Sequence, residues 1–158
     1  MHLFKKTVAP FFFAVLMLSL AACGGNEEKS KGDTMSLEEI FSAILSGVDG
    51  LPETAFTELN EDNYHYYLFI DPVKGADALA CDSLINAVPH SAVLLRLPEG
   101  TDASAIAEEI EKNADPRKWI CVEAEKKIVK VHGNTILLVM SFSKTADSIS
   151  ENFDKLWE

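Results

Sequence analysis

Ile128-Val129-Lys130-Val131-His132-Gly133-Asn134-Thr135-Ile136-Leu137-Leu138-Val139-Met140 is the stretch that decides the fold. Two strand-like runs, Trp119 to Val131 and Ile136 to Phe142, flank Gly133-Asn134, a two-residue connection of the kind that closes tight hairpins. Pairing across that turn sets Val131 opposite Ile136 and Val129 opposite Leu138, so one face is apolar throughout. The second run is apolar on its other face too. A strand buried on both sides needs a layer of helices or another sheet over each.

Working back from the hairpin, Ala92-Val93-Leu94-Leu95-Arg96-Leu97 is a nearly continuous apolar run, the pattern of a central strand. Leu79 to Ala87 reads as the strand before it, turned through Pro89 and His90, so the two form a hairpin. Pro98-Glu99-Gly100 ends it, and Thr101 or Asp102 caps a helix whose buried stripe is Ala103, Ile106, Ala107 and Ile110. Tyr64 to Ile70 is dense in aromatic residues, stops at Asp71-Pro72 and reads as a strand. Between Gly50-Leu51-Pro52 and Asn63 the sequence is polar and carries little pattern.

The flanks are helical. Ser36-Leu37-Glu38-Glu39 is a capping box. Behind it Leu37, Ile40, Phe41, Ile44, Leu45 and Val48 fall on one helical stripe, ending near Gly47. Downstream of the hairpin Thr145 caps a last helix in which Ala146, Ile149, Phe153, Leu156 and Trp157 share a face. The expectation is a single α+β domain over residues 36–158, a mainly antiparallel sheet of about five strands with three packed helices. Roughly 120 residues make one ordinary domain with a real core.

The first 35 residues are of another kind. Lys5 and Lys6 open the chain, an apolar core runs from Thr7 to Leu20, and small residues follow, the three parts of an export signal. The core is shorter than the about 20 apolar residues a spanning helix needs, and Pro10 weakens it further. Leu20-Ala21-Ala22-Cys23 resembles the lipobox of bacterial lipoproteins. That resemblance implies cleavage between Ala22 and Cys23 and a diacylglyceryl group on the Cys23 thiol, the side chain nucleophilic enough as thiolate to form the thioether. Two acyl chains hold stably without a spanning segment, whereas one holds only marginally. Residues 1–22 are thus expected to be a lipoprotein signal peptide and 23–35 a lipidated cysteine with a polar, flexible tether. The localisation implied is the extracytoplasmic face of the cell membrane.

Losing residues 1–22 removes two lysines and no acids, so Lys plus Arg falls from 14 to 12 against 25 acids, a net charge of −13. That charge argues against nucleic acid, which recruits Lys and Arg to displace counterions, and against lying flat on anionic lipid. It is compatible with basic partners and with simple solubility.

The order of lipobox, acidic tether, opening helix, apolar strand at Ala92 to Leu97, short helix and the Ile128 to Met140 hairpin resembles the bacterial lipoproteins grouped as domain of unknown function 4358. The likeness covers most of the chain after the signal and departs at Trp119 and Cys121, where that family carries a tyrosine-proline segment. It implies export and architecture and assigns no residue a role.

Few residues advertise chemistry. Cys81 and Cys121 are candidates for a disulfide in an extracytoplasmic setting, or two buried free thiols acting as small hydrophobes. A bridge needs Cα atoms within about 7 Å and would stabilise by roughly 3 to 4 kcal/mol on the loop-entropy estimate. His65, His90 and His132 include no close metal-ligand pair. Asp71, Asp77 and Asp82 lack the pattern of a calcium loop, and Glu58, Glu61 and Asp62 read as a solvated run. No nucleophile elbow, Ser-x-x-Lys, His-Glu-x-x-His or phosphate loop occurs. No cofactor is expected beyond the lipid. The reading that results is a non-enzymatic binding or assembly module with an envelope protein partner. The alternatives are an extracytoplasmic hydrolase with a site assembled across strands, or a small-ligand-binding accessory protein. Tyr66 and Tyr67 are the first place to look for exposed aromatics.

Overall fold

A computed structural model describes residues 30–158. The signal segment, the Ala22–Cys23 junction and the tether up to residue 29 lie outside the described residues. The elements run α1 (Lys31–Thr34), α2 (Leu37–Ile44), β1 (Thr54–Glu58), α3 (Tyr64–Leu68), β2 (Asp77–Ser83), β3 (Ser91–Arg96), α4 (Ala103–Asn113), β4 (Lys126–His132), β5 (Thr135–Ser141) and α5 (Ser143–Asp154). The five strands form one antiparallel sheet in the order β1-β2-β3-β5-β4. The α+β architecture expected from the alternation of helical and strand patterns is the one observed.

Strand periodicity sends alternate residues to opposite faces, and both faces are covered. Val93, Leu95, Ile136, Leu138 and Met140 pack with Tyr64 and Leu68 of α3 and Ala103, Ala107 and Ile110 of α4. Ala92, Leu94, Leu137 and Val139 pack with Ile40, Phe41 and Ile44 of α2 and Ala146, Ile149 and Phe153 of α5. β5 is therefore buried along its whole length, as its two-sided apolarity requires. The hairpin register is the expected one: Val131 pairs with Ile136 and Val129 with Leu138. Gly133 takes φ +55 at the turn, and Asn134 ties it to β3, its Nδ2 donating to Leu97 O at 2.6 Å.

Several elements differ from expectation. Tyr64 to Leu68 is a helical turn, not a strand. Asn60 and Asn63 close a local network in which Asn63 Oδ1 accepts from Asn60 N–H at 2.8 Å and Tyr64 N–H donates to Asn60 O. Tyr64 and Leu68, four apart, then fall together into the core, so burial overrides aromatic strand propensity. Phe69, at φ 60, ends the turn. The fifth strand is instead β1, in the stretch that carried little pattern. β2 stops at Ser83 rather than Ala87, and β4 begins at Lys126 rather than Trp119. The last helix starts at Ser143, because Glu125 Oε2 accepts the Ser143 N–H at 2.9 Å and caps it from another element; Thr145 lies inside it, buried.

The chain also joins the domain before Ser36. Ser30 and Asp33 form a capping box around α1, so the segment expected as tether through residue 35 is folded from Ser30 onward. Gly32 N–H donates to Leu156 O at 2.9 Å, and Trp157 Nε1–H donates to Asp33 Oδ1 at 2.9 Å. Arg96 Nη2 donates to Gly32 O at 3.2 Å and Met35 O at 3.4 Å. A Cβ on Gly32 would lie 2.4 Å from the Trp157 ring, so only glycine lets the strap approach this closely.

Candidate functional site

The register divides the sheet into two ends. Thr135, Arg96 and Asp77 stand in line at one end, where α1 docks; Ser141, Lys126, Ser91, Asp82, Ser83 and Thr54 mark the other. Strands of six or seven residues put the ends about 20 Å apart. At the α1 end a polar cleft of about 390 Å³ opens beside Arg96, walled by Glu38, Glu58 and Asp77. The chemistry is denser at the far end.

There, the loop after α4 folds inward. Asp115 and Pro116 turn the chain, Ala124 N–H donates to Pro116 O at 2.9 Å, and Lys118 is carried beneath the surface with its side chain 3 % exposed. Its Nζ donates to Ser91 Oγ at 3.0 Å and meets Asp82 Oδ2 at 3.5 Å. It also lies 4.5, 4.8 and 5.4 Å from the ring centroids of Tyr66, Tyr67 and Trp119. Cation–π attraction strengthens when the ammonium is desolvated. Burial pushes the Lys118 pKa below the ordinary lysine value, while Asp82 opposes that shift. The tyrosines come from α3, the carboxylate from β2 and the hydroxyl from β3, so one buried cation pins a loop to three elements.

Around this pin the surface is apolar. A cleft of about 430 Å³ is lined by Tyr66, Asn86, Ala87, Trp119, Ile120 and Cys121 above Lys118. Ile120 is fully exposed, Leu84 and Ile85 are about 60 % exposed and Tyr66 52 %.

His90 and Ser141 sit just beneath. His90 Nδ1 and Ser141 Oγ share a hydrogen bond at 3.0 Å, and both residues are wholly buried. Burial, then the charge of Lys118, lowers the His90 pKa to about 4. The pair resembles a nucleophile and base only in composition. Ser141 is sealed from solvent and sits on His90 Nδ1, the nitrogen a triad gives to its carboxylate, while Nε2, which would face the serine, is buried without a partner.

The other sequence candidates are dispersed. His65 is exposed on α3, while His132 ends β4 with Nε2 2.9 Å from Asp154 Oδ1. Among the described residues no group of three or more His, Cys, Asp or Glu is placed to hold a metal ion. Asp71, Asp77, Glu58, Glu61 and Asp62 are exposed, and of these Glu58 and Asp77 wall the cleft at the α1 end. Cys81 is buried on β2, Cys121 is exposed in the loop before β4, and both thiols are free. The two do not face one another across strands, because the stretch carrying Cys121 is not a strand. Sequence reasoning singled out Tyr66 and Tyr67, which do line this end. It missed Lys118, Leu84, Ile85 and Ile120, reading the last three as strand interior. Their exposure follows from where β2 stops and β4 starts, which no local pattern marks.

Fold and site together define an α+β sandwich, helices on both faces of an antiparallel sheet, with exposed apolar side chains and an apolar cleft at one end. No family model, curated protein or solved structure matches the chain. Among the described residues no helix is long and apolar enough to cross a membrane.

Proposed function

We propose that the chain is a lipid-anchored, extracytoplasmic lipoprotein of the cell membrane, related to the domain of unknown function 4358 lipoproteins, that holds a partner protein of the envelope through the end of its sheet bearing Lys118. It is a binding or assembly module and carries out no reaction of its own. The anchor is the diacylglyceryl thioether on Cys23, and residues 24–29 are the link to the folded strap. Six residues reach at most about 20 Å, so the α1 end stays near the lipid while the apolar end, about 20 Å further along the strands, points outward. The net charge of the processed chain favours that orientation over an anionic leaflet.

The observation that carries this reading is the exposure of Leu84, Ile85, Ile120 and Tyr66, the last two lining one apolar cleft, at the end opposite the docked strap. A hydrolase is disfavoured by the sealed Ser141–His90 pair.

The experiment is crosslinking in native membranes with a photoreactive residue at position 120, followed by capture. The reading predicts one discrete protein adduct, lost in Leu84→Ser/Ile85→Ser, with membrane attachment lost only in Cys23→Ala. Absence of any adduct, together with hydrolytic activity that vanishes on Ser141→Ala, contradicts it.

A further inference from the structure

The two edges of the sheet are built differently. β4 carries Lys126, Lys127 and Lys130, each engaged: Lys126 with Asp147 and Lys130 with Asp154 on α5, Lys127 with the last carbonyls of α4. Charged residues and covering helices are how sheets guard an edge against further pairing. β1, Thr54-Ala55-Phe56-Thr57-Glu58, has neither lysine nor proline, and Phe56 is 55 % exposed with its ring 5.4 Å from Phe41.

The hydrogen-bond phase of β1 shows what the edge offers. Leu59 N–H donates to Ala78 O at 3.0 Å, and Leu84 N–H donates to Glu53 O at 2.9 Å. In an antiparallel ladder bonded pairs alternate, so residues 53, 55, 57 and 59 face β2 and Thr54, Phe56 and Glu58 turn their backbone groups outward. Asn63 Nδ2 donates to Glu58 O at 3.2 Å. Among the described residues nothing bonds the outward N–H groups of Thr54, Phe56 and Glu58.

Charge indicates the occupant. From Val48 to Asn63 the chain holds Asp49, Glu53, Glu58, Glu61 and Asp62 and no Lys, Arg or His. Pairing with a second copy would bring two such acidic stretches together. We propose that β1 is the docking edge for an extended segment of a partner protein, apolar at its centre to cover Phe56 and basic at its flanks, which adds to the sheet as a sixth strand. Backbone bonds supply the affinity and the acids select the flanks. β1 runs along the edge of the sheet from Thr54 at the Lys118 end to Glu58 beside the cleft at the α1 end.

The test uses the full chain in detergent and two synthetic peptides with one central Val-Thr-Val-Thr-Val run, flanked by paired Lys in one and paired Glu in the other. Affinity is read by fluorescence anisotropy and position by amide exchange. The Lys-flanked peptide should protect the Thr54, Phe56 and Glu58 amides and bind about tenfold more tightly than the Glu-flanked one at low salt, the gap closing as salt rises. Thr54→Pro, which removes an outward N–H and no ladder bond, should weaken binding about tenfold at unchanged Tm. Phe56→Lys should do the same with the backbone left intact. Equal binding of both peptides, protection away from β1, or protection of these amides by self-association without peptide would overturn the proposal.

Discussion

The Trp157 indole donates its Nε1–H to Asp33 Oδ1 at 2.9 Å while its ring stacks on His132 at 5.1 Å and an interplanar angle of 11°. This contact joins α1 to the residues that follow α5 and to the β4–β5 hairpin. It holds residues 30–35 at one end of the sheet, beside Arg96 and Leu156.

Gly32→Ala should release this strap. The added methyl collides with the Trp157 ring at 2.4 Å, and neither the helix nor the ring can yield without losing the Asp33 bond. Limited proteolysis should then cut within residues 30–35, and Trp157 emission should shift to the red. The cost in global stability should be about 1 to 2 kcal/mol, because Trp157 and Met35 shift only at the margin of one core cluster and the sheet residues beneath keep their neighbours.

Stability should fall in mild acid because of His90. Its folded pKa is lowered to about 4 by burial and then by Lys118, whereas the unfolded histidine titrates near 6.5. Between those values the unfolded chain binds the extra proton, so stability is complete above about pH 6.5 and declines as pH falls toward 4, by about 3 kcal/mol in all. Urea denaturation from pH 4 to 7 checks this, and His90→Phe should flatten the slope. An unchanged slope in that variant would mean another group is responsible.

Asp154 acts over a lower range. Burial works to raise its pKa, but hydrogen bonds from His132 and Lys130 and their charges outweigh it, and the net shift is downward. A depressed carboxylate contributes above its unfolded pKa and is lost as pH drops through the folded one. Asp154→Asn should therefore destabilise at neutral pH, and the difference should shrink as pH falls below the ordinary carboxylate range and through the lowered folded pKa.

Lys118→Met should cost about 1 to 2 kcal/mol: it keeps the aliphatic stem among Tyr66, Tyr67 and Trp119 but leaves Asp82 and the buried Ser91 hydroxyl without their donor. Lys118→Ala should cost about 2 to 3 kcal/mol through the cavity left behind. Because the Lys118 charge is the second cause holding the His90 pKa down, NMR titration of Lys118→Met should place that pKa higher than in the parent.

Much of the frame was legible because its signals are local. The Gly133–Asn134 turn, the two-sided apolarity of β5, the Ser36 capping box and the α4 and α5 stripes each follow from near neighbours in sequence. What escaped was set by distant partners. Tyr64 to Leu68 is helical because Asn60 and Asn63 build the turn beneath it, and α5 starts at Ser143 because Glu125 supplies its cap. β1 is a strand because β2 accepts it, not through its own composition. The Lys118 pin draws on α3, β2, β3 and a loop, so no spacing announces it.

Thiol reactivity distinguishes the two described cysteines. Cys121 should react with maleimide in the native protein and Cys81 only after denaturation, since Cys81 is buried and burial raises its pKa. Two thiols that stay unreactive even after denaturation and are released together by reductant would mean a bridge.

The intact mass of the protein recovered from its native membrane tests the central claim most directly. The account predicts a chain that starts at Cys23, lacks residues 1–22 and carries a diacylglyceryl thioether on that residue. A chain that keeps its first 22 residues, or one that starts at Cys23 with a bare thiol, contradicts it.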